Sequence, residues 1–228
     1  MGGLGIYLHS RNQEELWNSL RRLGDKVFTD IDFMSRFTQC PEILKFFQAR
    51  GYRPPTRTMF YDQARKRLIF YGSAIPMIDV FFDRLEMCHI IDFRDRLNTD
   101  YPTIPPAELL LEKLQIVRIN EKDIKDAIVL LRAHELSDSD QDVVNAKHIS
   151  QILSSDWGFY YTATMNLGKI RDSLRNYQAL SDDDGRDIQG KIDRLLERVR
   201  NEPKTMAWKI RERIGTRKKW YTDVEEIS

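Results

Sequence analysis

The segment Thr29-Asp30-Ile31-Asp32-Phe33 sets two acids one residue apart among apolar and β-favouring neighbours. On an extended strand, residues two apart point to the same face. The spacing predicts a strand over 27–33 with Asp30 and Asp32 side by side and Ile31 and Phe33 turned into a core. Two carboxylates held that close repel, and a cation between them relieves the repulsion. Paired carboxylates with room left for water and phosphate oxygens suit Mg²⁺, a pattern that points to metal-assisted phosphoryl or nucleotidyl transfer. The alternative is a solvated pair at the end of an edge strand, since exposed acids are the norm.

Outward from this strand, residues 12–23 read as a helix with Leu16, Leu20 and Leu23 on one side and Trp17 beside them, stopped by Gly24. Gly2 and Gly3 precede a helix, and a glycine pair there can present free backbone N–H groups to a phosphate. The other reading of the pair is a flexible terminus. Downstream, Pro41 opens a short helix with Ile43, Leu44, Phe46 and Phe47 as its apolar positions, ended by Gly51 and Pro54-Pro55. Strands are predicted at 58–61, 67–71, 75–82 and 87–93. There is no regular βαβ rhythm, so the sheet should be mixed or antiparallel. Asp79 lies within Met77-Ile78-Asp79-Val80-Phe81-Phe82-Asp83, where a buried acid costs several kcal/mol unless paired or metal-bound. It is either a third carboxylate of the site or the solvent-facing residue of a half-buried strand. Asp83 reads as a strand-end residue.

After Pro106 the pattern turns helical, with helices at 107–117, 121–136, 145–154, 156–178, 185–201 and 203–214, and polar breaks at 137–140 and 181–185. The expected fold class is therefore α+β, with a small sheet and flanking helices over 1–102 and an all-helical part over 103–228. Lys113 is four residues after Leu109 and three before Ile116, near the apolar face of its helix. A lysine so placed either snorkels or reaches an anion. Asp123 and Asp126 open the next helix, where acids favour the helix dipole.

Composition narrows the classes. With 36 basic and 35 acidic residues there is no global polyanion-binding signal. Cys40 and Cys88 have no C-x-x-C partner and read as reduced thiols of a cytoplasmic protein. No apolar run is long enough for a membrane span, and no signal peptide is recognisable, so no membrane partner is expected. His9, His89, His134 and His148 are scattered, without H-x-x-x-H or Cys/His spacing, and predict no zinc site. P-loop and serine-elbow motifs are missing from the sequence. The basic run Arg211, Arg213, Arg217, Lys218 and Lys219, with Trp220 and Tyr221, reads either as an RNA contact or as a solvated helix end.

Taken in order, Gly2-Gly3, a helix, Asp30-Ile31-Asp32 and Ile78-Asp79-Val80 resemble the polymerase-β-type nucleotidyltransferase superfamily. The stretch Lys113-Leu114-Gln115-Ile116-Val117-Arg118 and the following Glu121-Lys122-Asp123-Ile124-Lys125-Asp126 resemble the lysine and K/R-D-x-x-D motifs of its AbiEii-type, toxin-like branch. The run from Asp79 through His89 and the late Trp208…Gly215…Trp220-Tyr221 are similar to the same relatives, so the resemblance covers essentially the whole chain. It implies that Asp30 and Asp32, with Asp79 as a less regular third ligand, hold one or two Mg²⁺ ions and the triphosphate of an NTP substrate. Gly2 and Gly3 would cradle phosphates, Lys113 would pair with them, Asp123 would act near the acceptor or as a base, and residues 103–136 would complete the site. The implied reaction moves NMP to an RNA, protein or small-molecule acceptor, with an antitoxin as a possible partner. A catalytically silent nucleotide-binding or partner-binding protein on the same scaffold is the alternative. The family carries a strand ahead of its glycine pair, and this sequence has no counterpart before Gly2, which predicts a loosened phosphate loop.

Overall fold

The computed structural model describes residues 1–21, 28, 30–53 and 67–224. The strand expected at 58–61, the stops at Gly24 and Pro54-Pro55, and residues 27 and 29 of the first strand lie outside the described residues. In chain order the elements are α1 (Gly2–His9), α2 (Glu14–Ser19), β1 (Asp30–Ser35), α3 (Cys40–Ala49), β2 (Arg67–Tyr71), β3 (Met77–Phe82), β4 (Arg84–Glu86) and β5 (Ile90–Asp92). There follow α4 (Pro106–Leu114), α5 (Glu121–Ala133), β6 (Leu136–Ser137), β7 (Val144–Asn145), α6 (Ala146–Ser155), α7 (Trp157–Ser173), α8 (Asp182–Asn201) and α9 (Met206–Ile214). The fold is α+β, as the sequence indicates.

The main sheet has the order β1-β3-β2, with β1 parallel and β2 antiparallel to β3. Because side chains alternate along a strand, this sheet sorts its residues into two unlike faces. On one face Leu68, Phe70, Ile78, Val80 and Phe82 form a small core beneath Ile43, Leu44 and Phe47 of α3. On the other face lie Asp30, Asp32 and Asp79, with Asp32 directly opposite Asp79 in the register. Phe33, expected in the core, is 43% exposed. It is on β1, one of the two edge strands, where Phe47 of α3 lies beside it with ring centroids 6.0 Å apart, while the small core under α3 is built from β2 and β3.

The strand expected over 87–93 is instead the second arm of a hairpin, in which β4 pairs antiparallel with β5. Asp83, at φ +61, makes the turn between β3 and β4, and its carboxylate accepts a hydrogen bond from the Phe37 N–H. The helix expected over 12–23 is broken into a 3₁₀ turn at Arg11–Gln13 followed by α2. The break expected at 137–140 separates β6 from β7, which pair in parallel, so the second half is not entirely helical.

The larger core joins both halves of the chain. Ile6, Trp17, Phe81, Leu85 and Phe93 pack with Leu109, Leu110, Leu111 and Leu114 of α4 and with apolar residues of α5 to α8. Every residue of α4 is buried, so this helix is the axis of the molecule. α1 lies on α4 and α5, and a Cβ at Gly5 would come within 2.9 Å of Leu109. The second half is delimited by side-chain caps. Asn120, Asn145, Asp156, Ser181 and Thr205 each accept a bond from a first-turn N–H of the helix they precede. Leu110→Ala is expected to lower stability by about 2–5 kcal/mol, because α4 is enclosed and cannot collapse into the vacated space. Urea unfolding measures the loss, and a loss below about 1 kcal/mol would mean that α4 is not the rigid axis described here.

Candidate functional site

The carboxylate face of the sheet, the start of α1 and the end of α4 enclose a cavity of about 1060 Å³. Gly2, Asp30, Asp32, Asp79, Lys113 and Asp123 all line it, so one space collects residues separated by up to 121 positions. Gly3 follows Gly2 in the first turn of α1.

Gly2 and Asp32 meet closely. Gly2 has φ +59, a left-handed conformation that glycine adopts without strain, and a Cβ at this position would collide with Asp32 Oδ2. Burial pushes the Asp32 carboxyl above the ordinary carboxylate range, and the negative charge of Asp30 adds to the effect. The charge of Asp30 opposes ionisation of Asp32, while Lys113 acts in the other direction. Asp30 and Asp32 fit Mg²⁺, which takes oxygen ligands and keeps several waters. Asp79, 2% exposed, is not the solvent-facing acid of a half-buried strand. Arg67, two residues along β2 from Ile69, the register partner of Asp79, places its Nε and Nη2 on the two Asp79 oxygens. That fork neutralises Asp79, and donation from Asp79 to a metal requires the pair to open.

Lys113 neither snorkels nor faces open solvent. Its Nζ lies 3.0 Å from Asp123 and 3.0 Å from Asp126, at the cavity wall. Asp123 is therefore more than a helix-dipole residue: its carboxylate accepts from Lys113, while its N–H is the donor in the Asn120 cap.

Glu112 and Arg67 are site residues that the sequence reading did not single out. Glu112 precedes Lys113, but where Lys113 has two carboxylates, Glu112 has no cationic side chain in hydrogen-bond range among the described residues. Its Oε2 accepts the Gly2 N–H at 3.0 Å, and among the described residues its Oε1 has no hydrogen-bond partner. The Gly2 N–H is thus already engaged, although the sequence reading offers it to a phosphate. The signal available for Glu112 was its helical spacing: it is three residues after Leu109 and one after Leu111, within a run too apolar to leave it outside. Arg67 opens a strand and carried no such signal.

The far wall comes from the chain's last described residues. Trp220 Nε1 donates to Thr162 Oγ1, the hydroxyl that also meets His89 Nε2, and the Thr222 N–H bonds to Cys88 O. This docking brings Tyr221 and Asp223 to the cavity. In the basic run beside it, two arginines bond to local backbone carbonyls. Arg211 donates to the carbonyls of Gly215 and Lys218, and Arg217 to those of Arg213 and Ile214. No helix among the described residues is long and apolar enough to cross a membrane. Comparison with known proteins finds no matching family model, no matching curated protein and no matching solved structure.

Burial pushes the Glu112 carboxyl up to about 7. Between the ordinary glutamate value, about 4.3, and that figure, the folded chain holds a proton that the unfolded chain has lost. Stability contributed by this group therefore falls as pH rises through that window. Glu112→Gln removes the ionisation and keeps an acceptor for Gly2 N–H. The variant is expected to gain on the wild type by an amount on the order of 1–3 kcal/mol between about pH 5 and pH 8. Urea melts at the two pH values measure the difference, and parallel profiles would show an ordinary, solvated carboxylate.

Proposed function

We propose that the chain is a Mg²⁺-dependent nucleotidyltransferase of the AbiEii-like type. It would transfer NMP from an NTP to an acceptor hydroxyl on an RNA, a protein or a small molecule. The observation that carries this reading is the Gly2–Asp32 approach inside a cavity that also collects Asp30, Lys113 and Asp123. A helix start set against paired acids, with a cation opposite, suits a magnesium triphosphate. The cavity is also of the size that holds a nucleotide.

In this reading Asp30 and Asp32 hold the metal, which when bound supplies neutralisation of the triphosphate oxygens. Lys113, held by Asp123 and Asp126, turns towards the phosphates. The acceptor oxygen forms a bond to the α-phosphorus as the α–β bridging bond breaks. Pyrophosphate leaves with the bonding electrons. The acceptor proton passes to a carboxylate, the role the resemblance assigns to Asp123. An antitoxin-like protein is the partner expected if the toxin-like branch is the right one.

Two contacts favour a second reading, a nucleotide-binding protein that transfers nothing. Arg67 occupies Asp79, and Glu112 occupies the Gly2 N–H. The two readings separate on incubation with each NTP labelled at the α-phosphate, Mg²⁺, and total RNA or protein extract. Label transfer is expected, and Asp32→Asn should reduce it at least about 100-fold, the scale of losing one group that stabilises transition-state charge. The near-isosteric change relieves repulsion from Asp30, so the metal-free variant should melt no lower than the wild type. Its Mg²⁺–nucleotide melting shift should vanish. A wild-type shift without transfer selects the silent protein; no shift and no transfer sinks both readings.

A further inference from the structure

The opposite end of α1 from Gly2 carries His9, the helix's last residue. There the fold gathers a second group of polar side chains, separate from the nucleotide cavity. His134 is the C-cap of α5, and Asp142 lies between β6 and β7. The Asp142 carboxylate stands between two rings, 3.9 Å from His9 Nδ1 and 3.5 Å from His134 Nδ1. One ligand atom from each of the three residues lies within 4.8 Å of the others. The sequence showed no zinc spacing because His9 and His134 are 125 residues apart (134 − 9) and meet only when α1 packs against α5.

We propose that His9, His134 and Asp142 form a binding site for a zinc-like divalent transition-metal ion. The orientation of His9 argues for it. Its Nε2 faces the Ile104 carbonyl at 3.3 Å and the Asp100 carboxylate at 3.5 Å, with the Thr103 hydroxyl beside it. Carbonyl and carboxylate only accept, so Nε2 carries the ring proton and Nδ1 presents its lone pair towards Asp142. A histidine whose second nitrogen is anchored on a carboxylate or a carbonyl is the usual support of a metal ligand.

His134 would have to rearrange. The ring is buried, its Nδ1 is 3.0 Å from the Asp142 carbonyl, and among the described residues its Nε2 has no hydrogen-bond partner. A carbonyl only accepts, so Nδ1 carries the His134 ring proton and Nε2 the lone pair. Coordination through Nδ1 therefore requires the bond to the Asp142 carbonyl to open and the ring proton to move to Nε2. The Asp142 side chain is 84% exposed and free to swing onto an ion. The loop conformation, φ +55 at Asp142, holds its backbone against His134. A separate cavity of about 840 Å³, lined by His9, Asp100, Asp140 and Asp142, adjoins the group on its His9 and Asp142 side.

Two imidazoles and one carboxylate select zinc, cobalt or nickel over Mg²⁺, which takes an all-oxygen shell. The bound ion would tie the ends of α1 and α5 to the loop at 138–142. This proposal is independent of the nucleotidyltransferase reading.

The test titrates the full chain, stripped with chelator, with ZnCl₂ by calorimetry and with CoCl₂ by visible absorption. The expected result is one zinc per chain, a raised melting temperature, and cobalt bands of a low-coordinate site. Asp142→Asn keeps a residue that tolerates the left-handed backbone, and as an exposed change it should leave the fold intact. It should weaken zinc binding at least about tenfold. His134→Gln should abolish the cobalt bands, while Asp32→Asn should leave both signals unchanged. Zinc binding absent from the wild type, or equal in the wild type and Asp142→Asn, would overturn the proposal, as would loss of the signals in Asp32→Asn.

Discussion

The enclosure of α4 is the constraint from which the site follows. A helix buried on every side cannot direct its charged residues to water, and α4 carries Glu108, Glu112 and Lys113. Each must find compensation inside the protein. Glu108 finds it in Arg96 and His148, and these partners hold its carboxyl below the ordinary range despite burial. Lys113 finds it in Asp123 and Asp126 at the start of α5. Glu112 has only the Gly2 N–H as a hydrogen-bond donor among the described residues, and its carboxyl is pushed up accordingly. Of the three, Glu112 is the one left without an ionic partner among the described residues, and it lines the large cavity beside the paired Lys113.

The sheet repeats that asymmetry. One face is an ordinary apolar surface under α3. The other sets Asp32 opposite Asp79 in a parallel pair, with Asp30 two residues before. Arg67 resolves the charge at Asp79, whereas burial and Asp30 leave Asp32 raised. Stability alone does not favour grouping carboxylates in this way, because like charges repel and buried charge is costly. A bound cation would remove both penalties.

α1 links the two candidate sites. It is eight residues long, about 12 Å at the helical rise. Its first residue closes on Asp32 and its last is His9. The packing of α1 on α4 and α5 therefore sets both groupings, and Gly5 permits the close approach to Leu109 that this packing needs.

The sequence by itself determined what local periodicity and chain chemistry can carry. The period-two placement of Asp30 and Asp32, the α+β order, and the positions of α4 through α9 to within a few residues were legible because they depend on neighbours within one or two turns. Which long-range partners meet was decided only by the tertiary structure. Arg67 on Asp79, Glu112 on Gly2 and His134 beside His9 join residues 12, 110 and 125 positions apart. No local pattern encodes such meetings. The exposure of Phe33 and the hairpin at 84–92 fall in the same class, since strand order and sheet coverage decide them. The charged residues of α4 show the physical reason most directly. Their spacing could be read from the chain, but whether each meets a countercharge, a backbone N–H or nothing depends on which surfaces the packed helices bring against them.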